Sequence, residues 1–143
     1  MTEPKALIDT NVLVYAYSPL SNKHAAATKT LRQAIESGRA TISVQNLVEF
    51  SRVMSEKLPE KTPLDKVRIH VMALSEAMSV FAYHADAVAR ALQLSGQYHL
   101  HFFDALLAAT MEVNRVFAIV TENDRDFRKI PWLKVVNPFS QRP

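Results

Sequence analysis

Carboxylates stand at four points of the chain where the neighbouring residues are apolar. One directly follows an apolar run, two lie within apolar helical patterns, and the fourth point offers two acids just after a β-branched run. Burying a carboxylate is costly unless it is hydrogen-bonded, paired or bound to a cation. Clusters of carboxylate oxygens suit hard divalent cations and the hydrolytic chemistry that such cations support. The residues concerned are Asp9, Glu49, Asp104, and Asp124 or Asp126.

Each acid also has a purely structural interpretation. Asp9 would cap a short helical turn that begins at Val12, which is worth about 1 kcal/mol. Asn46 would start the next helix, so that Glu49 at the third helical position would complete a capping box. Asp104 would gain about 0.3–1 kcal/mol from the dipole of its helix. Four such positions at strand ends and helix starts favour a shared site over unrelated caps.

Apolar patterns and turn residues predict strands that alternate with helices. We therefore expect an α/β fold, a three-layer sandwich whose mostly parallel central sheet of about five short strands is flanked by helices. Ligands of such sheets bind outside the carboxyl ends of the strands, where Asp9 and Thr121 would lie. The predicted strands are 6–8, 41–44, 80–82, 117–120 and 135–136. The predicted helices begin near residues 12, 23, 46, 64, 85 and 102, and the fifth ends near Gly96.

Composition bounds the class of protein. The 143 residues predict a single domain over 1–143, and 48% hydrophobic with 22% charged residues excludes intrinsic disorder as the main state. The absence of cysteine excludes a disulfide scaffold, a thiolate zinc site, an iron–sulfur cluster and a cysteine nucleophile. Two glycines cannot supply a dinucleotide fingerprint. The chain shows neither a signal peptide nor a spanning segment, so we expect no membrane association and a cytoplasmic location.

The basic surplus is confined to the last fifth of the chain. Residues 1–114 balance eleven Lys and Arg against eleven Asp and Glu, so the net charge of +3 comes from residues 115–143. A local surplus of this kind favours contact with a polyanion. Its members are Arg115, Arg125, Arg128, Lys129, Lys134 and Arg142.

Four stretches resemble the PIN-domain family of metal-dependent nucleases, and in particular its branch of VapC-type toxin ribonucleases from type II toxin–antitoxin systems. They are residues 7–15, 46–50, 103–109 and 120–127, they follow the family's order, and they span nearly the whole chain. The resemblance implies Asp9, Glu49 and Asp104 as catalytic acids. For the fourth acid it favours Asp126 over Asp124, because Asp126 keeps the pairing of an acid with the following Phe127.

The resemblance also implies the supporting groups. Asn11, Thr121 and Asn123 would hydrogen-bond the carboxylates or water. An oxygen-only ligand set suits Mg²⁺ or Mn²⁺, which would let crowded carboxylates stay ionised. Asp9 and Asp104 would bind the ion directly, while Glu49 and Asp126, or Asp124, would hold waters or a second ion.

The expected activity is therefore metal-dependent endoribonuclease hydrolysis of RNA by in-line attack of water, leaving a 5′-phosphate and a 3′-hydroxyl. Cations near the site would hold RNA phosphates, and the candidates are Arg52, Arg125, Arg128 and Lys129. The toxin branch implies a small antitoxin partner and a homodimer, with apolar surface offered by Ala34-Ile35 and residues 48–54. Two alternatives stay open: a free-standing PIN-type RNA-processing nuclease, and a non-catalytic partner-binding module with the same fold.

Overall fold

Five short strands form one sheet in the order β3-β2-β1-β4-β5, and every strand pairing is parallel. The computed structural model describes residues 4–140, so Arg142 of the basic surplus lies outside them. The predicted parallel α/β sheet is therefore confirmed. The strands are Ala6–Ile8 (β1), Ala40–Ser43 (β2), Ser79–Phe81 (β3), Ala118–Val120 (β4) and Lys134–Val136 (β5).

Seven α-helices are found within residues 4–140. The third continues directly into one π-helical turn, Val53–Lys57. None of the helices is both long and apolar enough to cross a membrane. The helices are Thr10–Ala16 (α1), His24–Glu36 (α2), Val44–Arg52 (α3), Leu64–Ala77 (α4), Ala85–Tyr98 (α5), Phe102–Val113 (α6) and Asp124–Phe127 (α7).

Side-chain alternation along β1 creates the three layers. Successive residues of a strand point to opposite faces of the sheet. Accordingly, Ala6 and Ile8 belong to a core cluster with side chains of α1–α4, whereas Leu7 packs with α5, α6 and Phe127 of α7. Leu7 and Ile8 are both fully buried, because helices cover the two faces of this central strand. This is the continuous apolar pattern that a two-sided parallel sheet requires.

The register of the sheet places the carboxyl ends of β1, β2 and β4 side by side. Leu7 pairs with Ile119 and Ile8 with Val120, so that the backbone N–H of Asp9 donates to the Val120 carbonyl at 2.9 Å. Asp9 and Thr121 are consequently neighbours although 112 positions separate them. The centre of this edge is the place where the sequence predicted a site.

The third helix begins two residues earlier than its pattern indicated. Ser43 is the N-cap, and it forms a capping box with Asn46, whose side chain accepts from the Ser43 backbone N–H at 2.9 Å. The predicted capping box of Asn46 with Glu49 was therefore wrong. The β-branched run continues to Val44, but helical hydrogen bonding already begins at that residue.

The fifth helix runs through Gly96 rather than ending near it. It stops after Tyr98, where His99 adopts a left-handed conformation with φ of 55°. The Ser95 hydroxyl donates to the Leu100 carbonyl at 2.6 Å, and buried Leu100 packs into the core. Core packing of Leu100 thus sets the end of this helix.

Candidate functional site

Asp9 joins the end of β1 to the start of α1 and is 8% exposed. Its Oδ1 accepts from the Thr10 backbone N–H at 2.8 Å, which is the expected cap. Its Oδ2 accepts from the Thr121 hydroxyl at 2.7 Å and from Asn11 Nδ2 at 3.3 Å. Burial raises the pKa of the Asp9 carboxyl above its ordinary value, and these donors oppose that rise. Asp9 is therefore both a cap and a buried, hydrogen-bonded carboxylate.

The loop after β4 is held by the same network. The Thr121 hydroxyl accepts from the backbone N–H of Asn123 at 2.9 Å and from Asn11 Nδ2 at 3.4 Å. Asn11 Oδ1 in turn accepts from the backbone N–H of Glu122 at 3.1 Å. Asn11 and Thr121 therefore tie the loop to Asp9, in the supporting positions that the resemblance assigned to them.

Glu49 projects from α3 towards the same edge of the sheet. Its Oε1 accepts from the Thr10 hydroxyl at 3.3 Å. Burial raises the pKa of the Glu49 carboxyl, and the negative charges of Asp9 and Asp104 raise it further. These three carboxylates, which come from three separate elements, are thus close enough to repel one another.

Asp104 lies in the first turn of α6 and is partly buried. Burial is the main cause that raises the pKa of its carboxyl, and the negative charges of Asp9 and Asp126 raise it further. Asn123 Nδ2 donates to Asp104 Oδ2 at 3.4 Å, so Asn123 links the loop after β4 to a second acid. Asp126 therefore lies near enough to Asp104 for its charge to act on that carboxyl.

Three of the four candidate RNA-binding cations contact acids of their own chain. Arg52 lies 4.0 Å from Glu56, while Arg128 and Lys129 lie 3.6 Å from Asp124 and 3.5 Å from Asp126, respectively. Lys129 also donates to the His99 carbonyl at 3.1 Å. Arg125 is exposed on α7 and makes no ion pair within residues 4–140. Of the four candidates, Arg125 is therefore the one whose charge no acid within residues 4–140 balances.

Sequence reasoning missed the environment of Glu122. Its carboxylate accepts from the Tyr15 hydroxyl at 3.1 Å and from Lys23 Nζ at 2.7 Å. The ammonium group of Lys23 lies 5.2 Å from the centre of the Tyr15 ring and 5.7 Å from that of Phe139. No local signal pointed to this cluster, because Glu122 follows its partners by 107 and 99 positions. The cluster fastens the loop after β4 through Glu122.

The donor set fits a hard divalent cation. Every acid at this edge offers carboxylate oxygens, the ligands that Mg²⁺ and Mn²⁺ prefer. Within residues 4–140 no three His, Asp or Glu side chains stand as a ready-made ligand shell. Mg²⁺ does not need one, because it usually keeps several waters and takes only one or two carboxylates from the protein. Burial raises the pKa values of Asp9, Glu49 and Asp104, and neighbouring negative charges raise those of Glu49 and Asp104 further; a bound cation would favour the charged form of each.

The chain is thus a three-layer α/β domain with several acids at the carboxyl edge of its parallel sheet. The family model of the PIN domain matches residues 6–133. The chain therefore belongs to the PIN-domain family. No curated protein sequence is significantly similar to it.

Solved structures show the same fold. A chain of a toxin–antitoxin complex from Klebsiella pneumoniae is 28% identical, with a TM-score of 0.70 over 95% of this chain and 99% of that one. A chain of DNA-bound VapBC from Salmonella typhimurium is 19% identical, with a TM-score of 0.71 over 95% and 99%. VapC20 of Mycobacterium tuberculosis, described as a toxin that cleaves the sarcin–ricin loop, is 15% identical, with a TM-score of 0.65 over 80% and 87%.

Proposed function

We propose that this protein is a metal-dependent endoribonuclease and the toxin of a toxin–antitoxin pair. The observation that carries the proposal is the group of acids at the carboxyl edge of the sheet, in which Asp9 and Asp104 both raise the pKa of Glu49. A fold gains no stability from like charges held together, so such a group favours a functional role. Membership of the PIN-domain family and the similarity to the Klebsiella pneumoniae complex support this assignment.

Asp9 and Asp104 would bind the cation directly, with Glu49 and Asp126 holding its waters. A bound Mg²⁺ or Mn²⁺ would supply charge neutralisation at the scissile phosphate and would lower the pKa of a water molecule. Thr121 and Asn11 hold Asp9 by two donors on the same oxygen, Oδ2. Asn123 orients Asp104 from the same loop. Movement of this loop would therefore displace both direct ligands together.

Exposed Arg125 would contact an RNA phosphate beside the acids. Arg128 and Lys129 would add to the local positive potential while they remain paired with Asp124 and Asp126. Contacts to phosphate are sequence-independent and weaken as salt is added. The choice of RNA must therefore be made by groups other than these cations.

Cleavage of RNA by the purified protein tests the proposal directly. We expect cleavage with Mn²⁺ or Mg²⁺ that stops when EDTA is added. Asp9→Asn and Asp104→Asn should each lower the rate about 100-fold or more, because several kcal/mol of transition-state stabilisation depend on the cation. Asp65→Asn is the matched control, since Asp65 is an exposed acid in the first turn of α4. Full activity of both site variants with an intact circular dichroism spectrum would refute the proposal.

A groove of mixed polar and apolar lining between α3 and α4 supports the proposed protein partner. Its volume is about 730 Å³, and Val48, Leu64 and Met72 line it with exposed fractions of 62%, 75% and 50%. Val48 is the exposed apolar residue of the run 48–54 that the sequence suggested for partner contacts, since Phe50 and Met54 are buried. A small antitoxin that covers this groove would bury its exposed apolar side chains, which favours binding.

Co-expression with the product of an adjacent small gene tests that pairing. We expect a stable complex without RNA cleavage, and a homodimer of the toxin by light scattering. Val48→Asp should weaken the complex while leaving cleavage by the free toxin unchanged. RNA cleavage without any complex would favour the free-standing processing nuclease. Complex formation by a protein that cleaves no RNA when purified alone, at any metal concentration, would favour the partner-binding module.

A further inference from the structure

We propose that Thr10 and Asn46 are positioning residues that hold the carboxylate of Glu49 in the site. The inference rests on the proposed function in one respect, the catalytic role of Glu49. Hydrogen bonds link the N-cap of α3 to Asn46, Asn46 to Thr10 of α1, and Thr10 to Glu49, which lies on α3 again. The N-cap Ser43, Asn46 and Glu49 all belong to the β2–α3 segment, whereas Thr10 follows Asp9.

The capping box fixes the orientation of the Asn46 side-chain amide. Asn46 Oδ1 accepts from the backbone N–H of Ser43 at 2.9 Å and from the Ser43 hydroxyl at 2.8 Å. A backbone N–H is only a donor, so the atom facing it must be the amide oxygen. The amide nitrogen is thereby directed to Thr10. Ser43 and Asn46 are completely buried, and water cannot replace these bonds.

The orientation of Asn46 in turn fixes the direction of the Thr10 hydroxyl. Asn46 Nδ2 donates to Thr10 Oγ1 at 3.1 Å. A hydroxyl has a single proton, and Thr10 donates it to Glu49 Oε1 at 3.3 Å. The donor and the acceptor of each hydrogen bond in this series are therefore fixed. The last donor, the Thr10 hydroxyl, faces a carboxylate oxygen of Glu49.

Thr10 also donates a hydrogen bond to a second acid, Asp9. Its backbone N–H donates to Asp9 Oδ1 at 2.8 Å, while its side chain donates to Glu49. One residue thus gives a donor to each of two carboxylates that repel one another. A hydrogen bond to a charged group is stronger than one between neutral groups. Thr10 consequently holds Asp9 and Glu49 relative to one another.

Three variants distinguish a role in positioning Glu49 from a purely structural role. Thr10→Val removes the hydroxyl at nearly constant volume, and Thr10→Ser keeps it. Asn46→Asp replaces the donor facing Thr10 by an acceptor, which would draw the Thr10 proton away from Glu49. Thr28→Val is the matched control, because the buried Thr28 hydroxyl has no hydrogen-bond partner within the described residues.

We expect Thr10→Val and Asn46→Asp to lower kcat for RNA about 10- to 100-fold with KM changed less than about twofold, as for a misplaced catalytic group. Thr10→Ser should stay within about threefold of the parent, and Thr28→Val should match it. The affinity for Mn²⁺, measured by calorimetry on the folded variants, should fall for Thr10→Val and recover in Thr10→Ser.

Parent-like kcat and Mn²⁺ affinity in Thr10→Val would overturn the inference. A Thr10→Ser variant as impaired as Thr10→Val would also overturn it, because the hydroxyl would then not be the group that matters. If the parent protein cleaves no RNA, the proposed function fails. The Mn²⁺ titrations then decide the positioning role by themselves, since they do not require turnover.

Discussion

Replacing Thr121 by valine should destabilise the metal-free protein by an amount that grows with pH. Thr121 is fully buried, and its hydroxyl makes three hydrogen bonds, to Asp9, Asn11 and the backbone of Asn123. Valine keeps the shape and removes all three. The bond to Asp9 matters most, because it is the shortest of them and its acceptor is a buried carboxylate.

The magnitude follows from the type of each bond. A hydrogen bond to a charged group contributes about 1.5–3 kcal/mol, and leaving a buried N–H unsatisfied costs about 1–3 kcal/mol. Because Asn123 is partly exposed, a hydrogen bond to water offsets part of the cost of leaving its backbone N–H unsatisfied. We therefore expect a loss of about 2–4 kcal/mol in the free energy of unfolding where Asp9 is ionised.

The sign of the pH dependence follows from linkage. The Thr121 hydroxyl lowers the pKa of the Asp9 carboxyl in the folded state, so its removal raises that pKa further above the unfolded value. A raised folded pKa favours folding at low pH, and this advantage is lost as pH rises through the folded pKa. Each additional unit of pKa adds about 1.4 kcal/mol of destabilisation above that range.

Urea unfolding in EDTA, followed by the fluorescence of the single tryptophan, Trp132, measures the effect. We expect the loss in Thr121→Val to be larger at about pH 8 than at about pH 5. Thr121→Ser keeps the hydroxyl and should retain most of the pH-dependent part. An equal loss at both pH values would refute the reasoning, because the hydroxyl would then not interact with the charged form of Asp9.

Three further outcomes follow from the same site. Burial raises the pKa values of Asp9, Glu49 and Asp104, and neighbouring negative charges raise those of Glu49 and Asp104 further. Melting temperatures in EDTA should therefore fall as pH rises from about 4, and less steeply in Asp9→Asn. Added Mn²⁺ should raise the melting temperature more at about pH 8 than at about pH 5, because ligands must be deprotonated. Asp126→Asn should reduce RNA cleavage about tenfold or more while Asp124→Asn stays within about threefold, and the reverse order would assign the fourth acid to Asp124.

Local patterns were sufficient to predict the architecture and the position of Asp9. A short apolar run followed by Asp-Thr-Asn predicts a buried strand, a cap and a helix start, and all three are formed. The start of α3 was misplaced, because Ser43 and Asn46 are both good capping residues and the β-branched pattern continues through Val44. The spacing of Ser43 and Asn46 was the available signal for the observed box.

Contacts between distant segments could not be read from the sequence. The Thr10 hydroxyl meets Glu49 across 39 positions, and Tyr15 meets Glu122 across 107. Such pairs depend on strand order, which apolar periodicity does not specify. The sequence could not decide between Asp124 and Asp126 for a similar reason, since the answer depends on how the short helix α7 is rotated against α6. The ion pairs of Arg128 and Lys129 are local, at i,i+4 and i,i+3 spacing, but the short helix α7 beside them was not among the predicted helices.

The order of strands in the sheet has a consequence for synthesis of the protein on the ribosome. β1 is made first, yet one of its two neighbours is β4, and the donor closest to Asp9 is Thr121. Asp9, Glu49 and Asp104 can therefore assemble in full only after the chain has been translated beyond β4. Long-range pairing of this kind is also slow to form. An unfinished chain still held at the ribosome, surrounded by ribosomal and messenger RNA, would thus lack a complete site.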